Sequence, residues 1–160
     1  MRTAAIQELK TELKNVPAKE LIELCLRLAK FKQENKELLT FLLFEADDID
    51  GYIQSVKADI DEEFAAITTT SQYILKKNLR RVTRVVGKHM RYAASKQVEA
   101  ELALYFCSKM KEARILPKAN TVIRNMYLQQ YNKAEKAISG MHEDLQYDYT
   151  QQLQQLRLTI

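Results

Sequence analysis

Apolar residues recur at helical spacing along almost the whole chain. In one stretch Ile49, Ile53, Val56, Ile60 and Phe64 follow one another at intervals of three or four residues, which places them on one side of an α-helix. Patterns of this kind predict eight helices, over residues 3–14, 17–31, 34–46, 47–67, 71–93, 95–114, 117–139 and 141–156. The expected fold is therefore all-α, with about eight helices in antiparallel pairs that form a helical bundle or a short α-solenoid in one domain, residues 1–160.

The limits of these helices follow from residues that cap or break them. Pro17 suits the first turn of the second helix, where its missing N–H is not needed. Asp47 or Asp48 should begin the fourth helix, and Ser71 or Thr70 the fifth, because short polar side chains can accept hydrogen bonds from the first turn. Gly140 is expected to end the seventh helix.

The apolar positions also predict which faces are buried. The second helix should turn an apolar face inward, formed by Leu21, Leu24, Cys25 and Leu28. The third should be buried on several sides, because apolar residues surround most of its axis: Leu38, Leu39, Phe41, Leu42, Leu43 and Phe44. The sixth carries two apolar faces and should be central. Gly87 lies inside the fifth helix, where close packing of a neighbouring helix would explain it.

Composition adds little to the fold but limits the setting. Glycine (3 residues) and proline (2 residues) are too scarce to specify many turns, which favours long helices. Cys25 and Cys107 both fall inside helical patterns, so no disulfide framework is indicated and both should pack in the core. No stretch is long enough for a membrane span and no signal peptide is visible. We therefore expect a cytoplasmic protein in a reducing compartment, without contact with a membrane.

Charge is distributed unevenly along the chain. Residues 1–70 hold 9 basic and 14 acidic side chains, whereas residues 71–160 hold 16 basic and 7 acidic ones. Between Lys76 and Lys96 there are eight basic residues and no acidic residue. Six of them fall within about 100° of arc and about 21 Å of helix length; this basic stripe consists of Lys77, Arg80, Arg81, Arg84, Lys88 and Arg91.

The basic stripe has two interpretations. It can bind the phosphates of a nucleic acid or another polyanion, or it can be solvated or paired with the acidic helix 47–67. That helix and the two residues before it hold eight acids against the single base Lys57: Glu45, Asp47, Asp48, Asp50, Asp59, Asp61, Glu62 and Glu63. A second copy of the chain could also supply the acidic helix, in a symmetric dimer.

The opening of the chain resembles a known family. The segments Leu9-Lys10-Thr11-Glu12-Leu13, Lys19-Glu20-Leu21-Ile22-Glu23-Leu24 and Glu34-Asn35-Lys36-Glu37-Leu38 are similar to the start of an uncharacterised bacterial all-helical family, a domain of unknown function. The resemblance covers about the first 40 residues. It implies a helical, intracellular bacterial protein and transfers no activity and no site residues.

No catalytic or metal motif stands out. The acidic run before Gly51 fails as a calcium loop because Ala46 and Lys57 occupy ligand positions. His89 and His142 lack a second ligand at metal spacing and are expected at caps or on the surface. A nucleophilic pair of Cys107 with His89 stays open, because such pairs are formed in space rather than in sequence.

These observations favour a protein that is not an enzyme and carries no cofactor. The leading hypothesis is a helical protein-interaction module that binds another protein or itself. The alternative is a nucleic-acid-binding accessory protein that uses the basic face of helix 76–96.

Overall fold

The computed structural model describes residues 1–68 and 71–158. Those residues form eight α-helices and no strand: α1 (Ile6–Leu13), α2 (Ala18–Phe31), α3 (Gln33–Thr40), α4 (Ile49–Ala65), α5 (Gln72–Ala93), α6 (Lys96–Glu112), α7 (Thr121–Ser139) and α8 (Glu143–Leu156). A π-helical turn, Phe41–Glu45, follows α3, and a short 3-10 helix, Leu116–Lys118, precedes α7. The all-α prediction is confirmed.

Side-chain caps explain where four of these helices begin. The Asp48 carboxylate accepts from the backbone N–H of Gly51 at 2.9 Å, and the Ser71 hydroxyl accepts from the N–H of Ile74 at 3.2 Å. Ser71 is thus the cap of α5, while Thr70, the other candidate, lies outside the described residues.

The predicted start of the seventh helix, Pro117, is wrong. Pro117 lies in the 3-10 helix, and α7 begins four residues later because the Asn120 side chain caps it, accepting from the N–H of Ile123 at 3.0 Å. Gly140 ends α7 as predicted.

The chain divides into two compact units, residues 1–44 and residues 45–160. This division describes packing within each unit, and the expectation of a single folding domain stays a prediction. The larger unit contains α4 to α8, with α6 at its centre, since α6 contacts α4, α5, α7 and α8. In a solenoid each repeat contacts only its neighbours, so residues 45–160 form a bundle around the predicted central helix.

The core of the larger unit forms where apolar faces meet on α6. Eight residues of α6 are buried, from Val98 to Met110. Phe106 meets Phe64 of α4 edge to face, with ring centroids 5.7 Å apart. Leu79, Val82 and Val86 of α5 are fully buried, as their spacing predicts.

Gly87 differs from its prediction. A methyl group built at this position would meet no atom closer than the Arg91 Nη1, at 3.7 Å. No neighbouring helix approaches it closely, so close packing does not account for this glycine.

In the smaller unit α2 and α3 pack against each other. The Asn35 side chain donates to the Leu28 carbonyl at 2.9 Å and joins the start of α3 to the last turns of α2. Two helices in contact cover only one side of each other, which leaves most of their other apolar positions exposed.

Candidate binding surfaces

The basic stripe lies on the outer face of α5. Lys77, Arg80, Arg81, Arg84 and Arg91 are exposed and Lys88 is half-buried, while six apolar or aromatic residues of the same helix are buried, from Leu75 to Tyr92. A Lys or Arg side chain that stays hydrated at the surface keeps its charge available to a partner. The surface position of the stripe therefore agrees with its helical spacing.

Most of the stripe is not neutralised by the acidic helix. Arg81 pairs with Glu63 of α4, with its Nε 2.6 Å from the carboxylate, and that carboxylate raises the pKa of Arg81. Lys88 is also engaged. Four stripe cations have no hydrogen-bond or ion-pair partner among the described residues: Lys77, Arg80, Arg84 and Arg91.

The acids of α4 instead serve contacts with α6. Asp61 lies 2.9 Å from the Lys109 Nζ and accepts 2.8 Å hydrogen bonds from the Tyr105 hydroxyl. Asp50 accepts from the Gln97 amide at 3.0 Å. The expectation that α4 would occupy the basic stripe therefore holds at Glu63, whereas Asp61 and Asp50 are directed to the central helix.

This network alters the titration of its members. The hydrogen bond from Lys109 lowers the pKa of Asp61, and the same hydrogen bond raises the pKa of Lys109. Burial, helped by the Asp61 hydrogen bond, raises the pKa of Tyr105. All three shifts favour the usual charges of these groups near neutral pH.

A second surface lies in residues 1–44, where α2 and α3 form an apolar groove of about 250 Å³. Asn35 lines it together with six apolar or weakly polar residues, which define the apolar groove: Cys25, Leu28, Ala29, Leu38, Leu39 and Leu42. Outside the groove, Phe31, Leu43 and Phe44 of the same unit are also exposed.

This exposure overturns two predictions about burial. Leu24, Cys25 and Leu28 were expected to face inward, yet all three are exposed, Leu28 by 61%. In the third predicted helix only Phe41 is buried, and Phe44 is 76% exposed. Helical spacing identifies apolar faces but does not show whether a second element covers them. The exposure of this apolar surface was therefore not predicted from the sequence.

The two histidines and Cys107, considered above as candidate site residues, make structural contacts. His142 caps α8 by accepting from the Asp144 N–H at 3.4 Å, in line with its predicted role. His89 is half-buried beside Tyr52, whose hydroxyl lies 2.8 Å from the His89 Nδ1. Cys107 is buried as predicted, and its thiol donates to the Tyr127 carbonyl at 3.8 Å. Cys107 and His89 thus each have other partners.

The described residues contain neither a cluster of metal-ligand side chains nor a helix that could span a membrane. Nowhere in them do three or more His, Cys, Asp or Glu side chains gather closely enough to hold a metal ion. None of their helices combines the length and the apolar character needed to cross a bilayer.

No protein-family model, no curated protein and no solved structure matches this chain. The resemblance of about the first 40 residues to a bacterial helical family stays a prediction. The basic stripe and the apolar groove are therefore the features that bear on function.

Proposed function

We propose that this protein is a helical protein-interaction module, not an enzyme, and that the apolar groove of residues 1–44 is its contact surface. The observation that carries this proposal is the exposure of large apolar side chains along α2, α3 and the following turn. Monomeric proteins rarely expose contiguous apolar surface of this kind, and where they do it usually marks an interaction site.

The groove fits one kind of partner. A shallow apolar channel between two helices accepts the apolar face of a third helix, which anchors residues every three or four positions. Such a helix can come from another protein or from a second copy of this chain. Each leucine removed from water on binding contributes about 2 kcal/mol, so a few side chains suffice for a specific contact.

The test replaces Leu28 and Leu42 together by aspartate. Losing about 4 kcal/mol should weaken association roughly 1,000-fold. Tyr147→Asp is the matched control, because Tyr147 lies on α8 and its exposed fraction of 68% is similar to the 61% of Leu28. Sedimentation measures self-association, and affinity capture from the native cell, with and without nuclease, measures binding to another protein.

The expected result is an assembly that survives high salt in the wild type and in Tyr147→Asp and is lost in the double aspartate variant. Apolar contacts are not screened by salt, unlike exposed ion pairs. Circular dichroism checks that all variants keep their helicity. A wild type that is monomeric at low and high salt and retains no protein would refute the proposal.

Nucleic-acid binding is a second candidate, favoured by the four stripe cations that lack partners in the described part of the chain. If each contacts one phosphate of a duplex, the slope of log K against log salt is about −3.6, and affinity falls roughly 150-fold between about 50 and 200 mM salt. If all six stripe residues contributed, the slope would be about −5.4.

Reversing two stripe charges tests this candidate. Arg80→Glu with Arg84→Glu should abolish binding of labelled DNA or RNA oligonucleotides, measured by fluorescence anisotropy. Lys10→Glu with Lys14→Glu is the control, because these exposed residues have the same spacing, with Lys10 in α1 and Lys14 directly after it. No binding by the wild type at low salt, or equal loss in both double variants, would remove this candidate.

Cytoplasmic location and bacterial origin belong to the same proposal. Cys25 and Cys107 are both free thiols, which agrees with a reducing compartment. Localisation of the tagged protein in the native cell tests this directly.

A further inference from the structure

A pocket of about 720 Å³ lies in the larger unit and shares no lining residue with the apolar groove. It is bounded by the end of α6, the 3-10 helix, α7 and the residues that follow α8. Its volume is in the range of small-molecule sites in proteins. None of the stripe residues lines it.

The charge of the pocket is one-sided. None of the described lining residues is acidic, and four are basic: Lys111, Arg114, Arg124 and Arg157. The Lys111 ammonium donates to the Gln155 carbonyl at 2.6 Å, and the Arg124 Nε donates to the Ala119 carbonyl at 3.3 Å. Arg114 and Arg157 have no such partner in the described parts of the chain.

Arg124 occupies a position that helix stability does not explain, and Arg114 has an unusual backbone conformation. Arg124 lies near the start of α7, where the helix dipole disfavours a positive charge. Arg114 has a φ of 52°, a left-handed conformation that usually requires glycine after a helix. Strain of this kind often marks a functional position, and here it carries a guanidinium at the pocket.

An aromatic wall completes the pocket. Tyr127 is fully buried, its hydroxyl donates to the Leu156 carbonyl, and its ring stacks on Tyr131 with centroids 6.5 Å apart and planes 20° apart. Tyr131 is half-buried and lines the pocket beside Asn132. Burial and the negative charge of Glu135 raise the pKa of Tyr131, while the positive charge of Arg157 opposes that rise; Arg157 and Tyr131 line the same pocket.

We propose that this pocket binds a nucleotide, with its phosphates on Arg114 and Arg157 and its base against Tyr131. Four cations, with no acid among the described lining residues, favour a multiply charged phosphate group over a single carboxylate, because a guanidinium can donate two hydrogen bonds to one phosphate group. A flat aromatic wall next to an amide that both donates and accepts suits a heterocyclic base better than an alkyl chain.

Calorimetric titration of the full-length protein with ADP tests the proposal. Adenosine, pyrophosphate and decanoate are the comparison ligands, since they present the base alone, the phosphates alone and a carboxylate on an alkyl chain. ADP should bind at least tenfold more tightly than each of them. Failure of ADP to bind at millimolar concentration, or tighter binding of decanoate, would overturn the proposal.

Matched variants locate the site. Arg114→Gln with Arg157→Gln should weaken ADP binding at least tenfold, whereas Arg80→Gln with Arg84→Gln removes the same charge from the basic stripe and should change it less than twofold. Equal weakening would show general electrostatic attraction and overturn the proposal.

A measurement on the wild type tests the location of the site without depending on the folding of a variant. Photolabelling with 8-azido-ADP, followed by peptide mapping, should modify the segment that contains Tyr127 and Tyr131. Labelling confined to other segments would contradict the proposed site.

Discussion

Glu101 should be one of the most sensitive polar positions of the larger unit, because its carboxylate joins three helices. Its Oε2 accepts from the Lys57 ammonium of α4 at 2.6 Å, and its Oε1 accepts from the Tyr149 hydroxyl of α8 at 2.8 Å. The side chains of Lys57 and Glu101 are only about one-fifth exposed, at 20% and 22%, and Tyr149 is buried. Replacing Glu101 by alanine removes both contacts at once.

The cost follows from these contacts. A hydrogen bond to a charged group contributes about 1.5–3 kcal/mol, and partial solvation of Lys57 and Glu101 keeps each value near the lower limit. Glu101→Ala should therefore lower the free energy of unfolding by about 3 kcal/mol. Lys57→Met and Tyr149→Phe each remove one donor and should cost about 1–2 kcal/mol.

Urea unfolding followed by circular dichroism measures these values, and double-mutant cycles isolate the pairs. The coupling energy should be about 1 kcal/mol for Lys57 with Glu101 and of similar size for Tyr149 with Glu101. A loss below about 0.5 kcal/mol in Glu101→Ala, or couplings near zero, would show that the carboxylate is not a structural joint between the helices.

Three further measurements probe other parts of the structure. Gly87→Ala should stabilise the protein by about 1 kcal/mol in the same urea assay, because alanine favours a helix and no atom lies within 3.7 Å of the added methyl; destabilisation would show close packing that the structure lacks. Near neutral pH a thiol reagent should modify exposed Cys25 quickly and Cys107 only after unfolding, since burial raises the pKa of Cys107 to about 12; equal rates would contradict this. The pKa of Asp61 is lowered in the folded protein, so its stabilisation is present above the ordinary value of 3.8 and is lost as pH falls through the lowered pKa. The difference in unfolding free energy between wild type and Asp61→Asn should therefore be constant from about pH 5 to 8 and shrink below about pH 4, and a difference that persists unchanged in acid would refute the assignment.

The sequence alone determined the features that depend on neighbours along the chain. Helical spacing and short polar capping residues act over one turn, so they placed the starts of α4 and α5 to within one residue, and the structure selects Asp48 and Ser71 as the caps. The same spacing separated the buried face of α5 from its basic stripe. Pro117 was misread because proline also suits a short 3-10 helix, and the cap that begins α7 is Asn120.

Only the tertiary structure decided which faces meet. The apolar face of α2 has the same spacing as a buried one, yet Leu28 is exposed because α3 covers only part of that face. The acids of α4 could have paired with α5, but Asp61 reaches Lys109 because α6 lies beside α4. The pocket likewise brings together Arg114 and Arg157, which are far apart along the chain. Contacts of this kind depend on how helices pack, and periodicity within one helix carries no information about its neighbours.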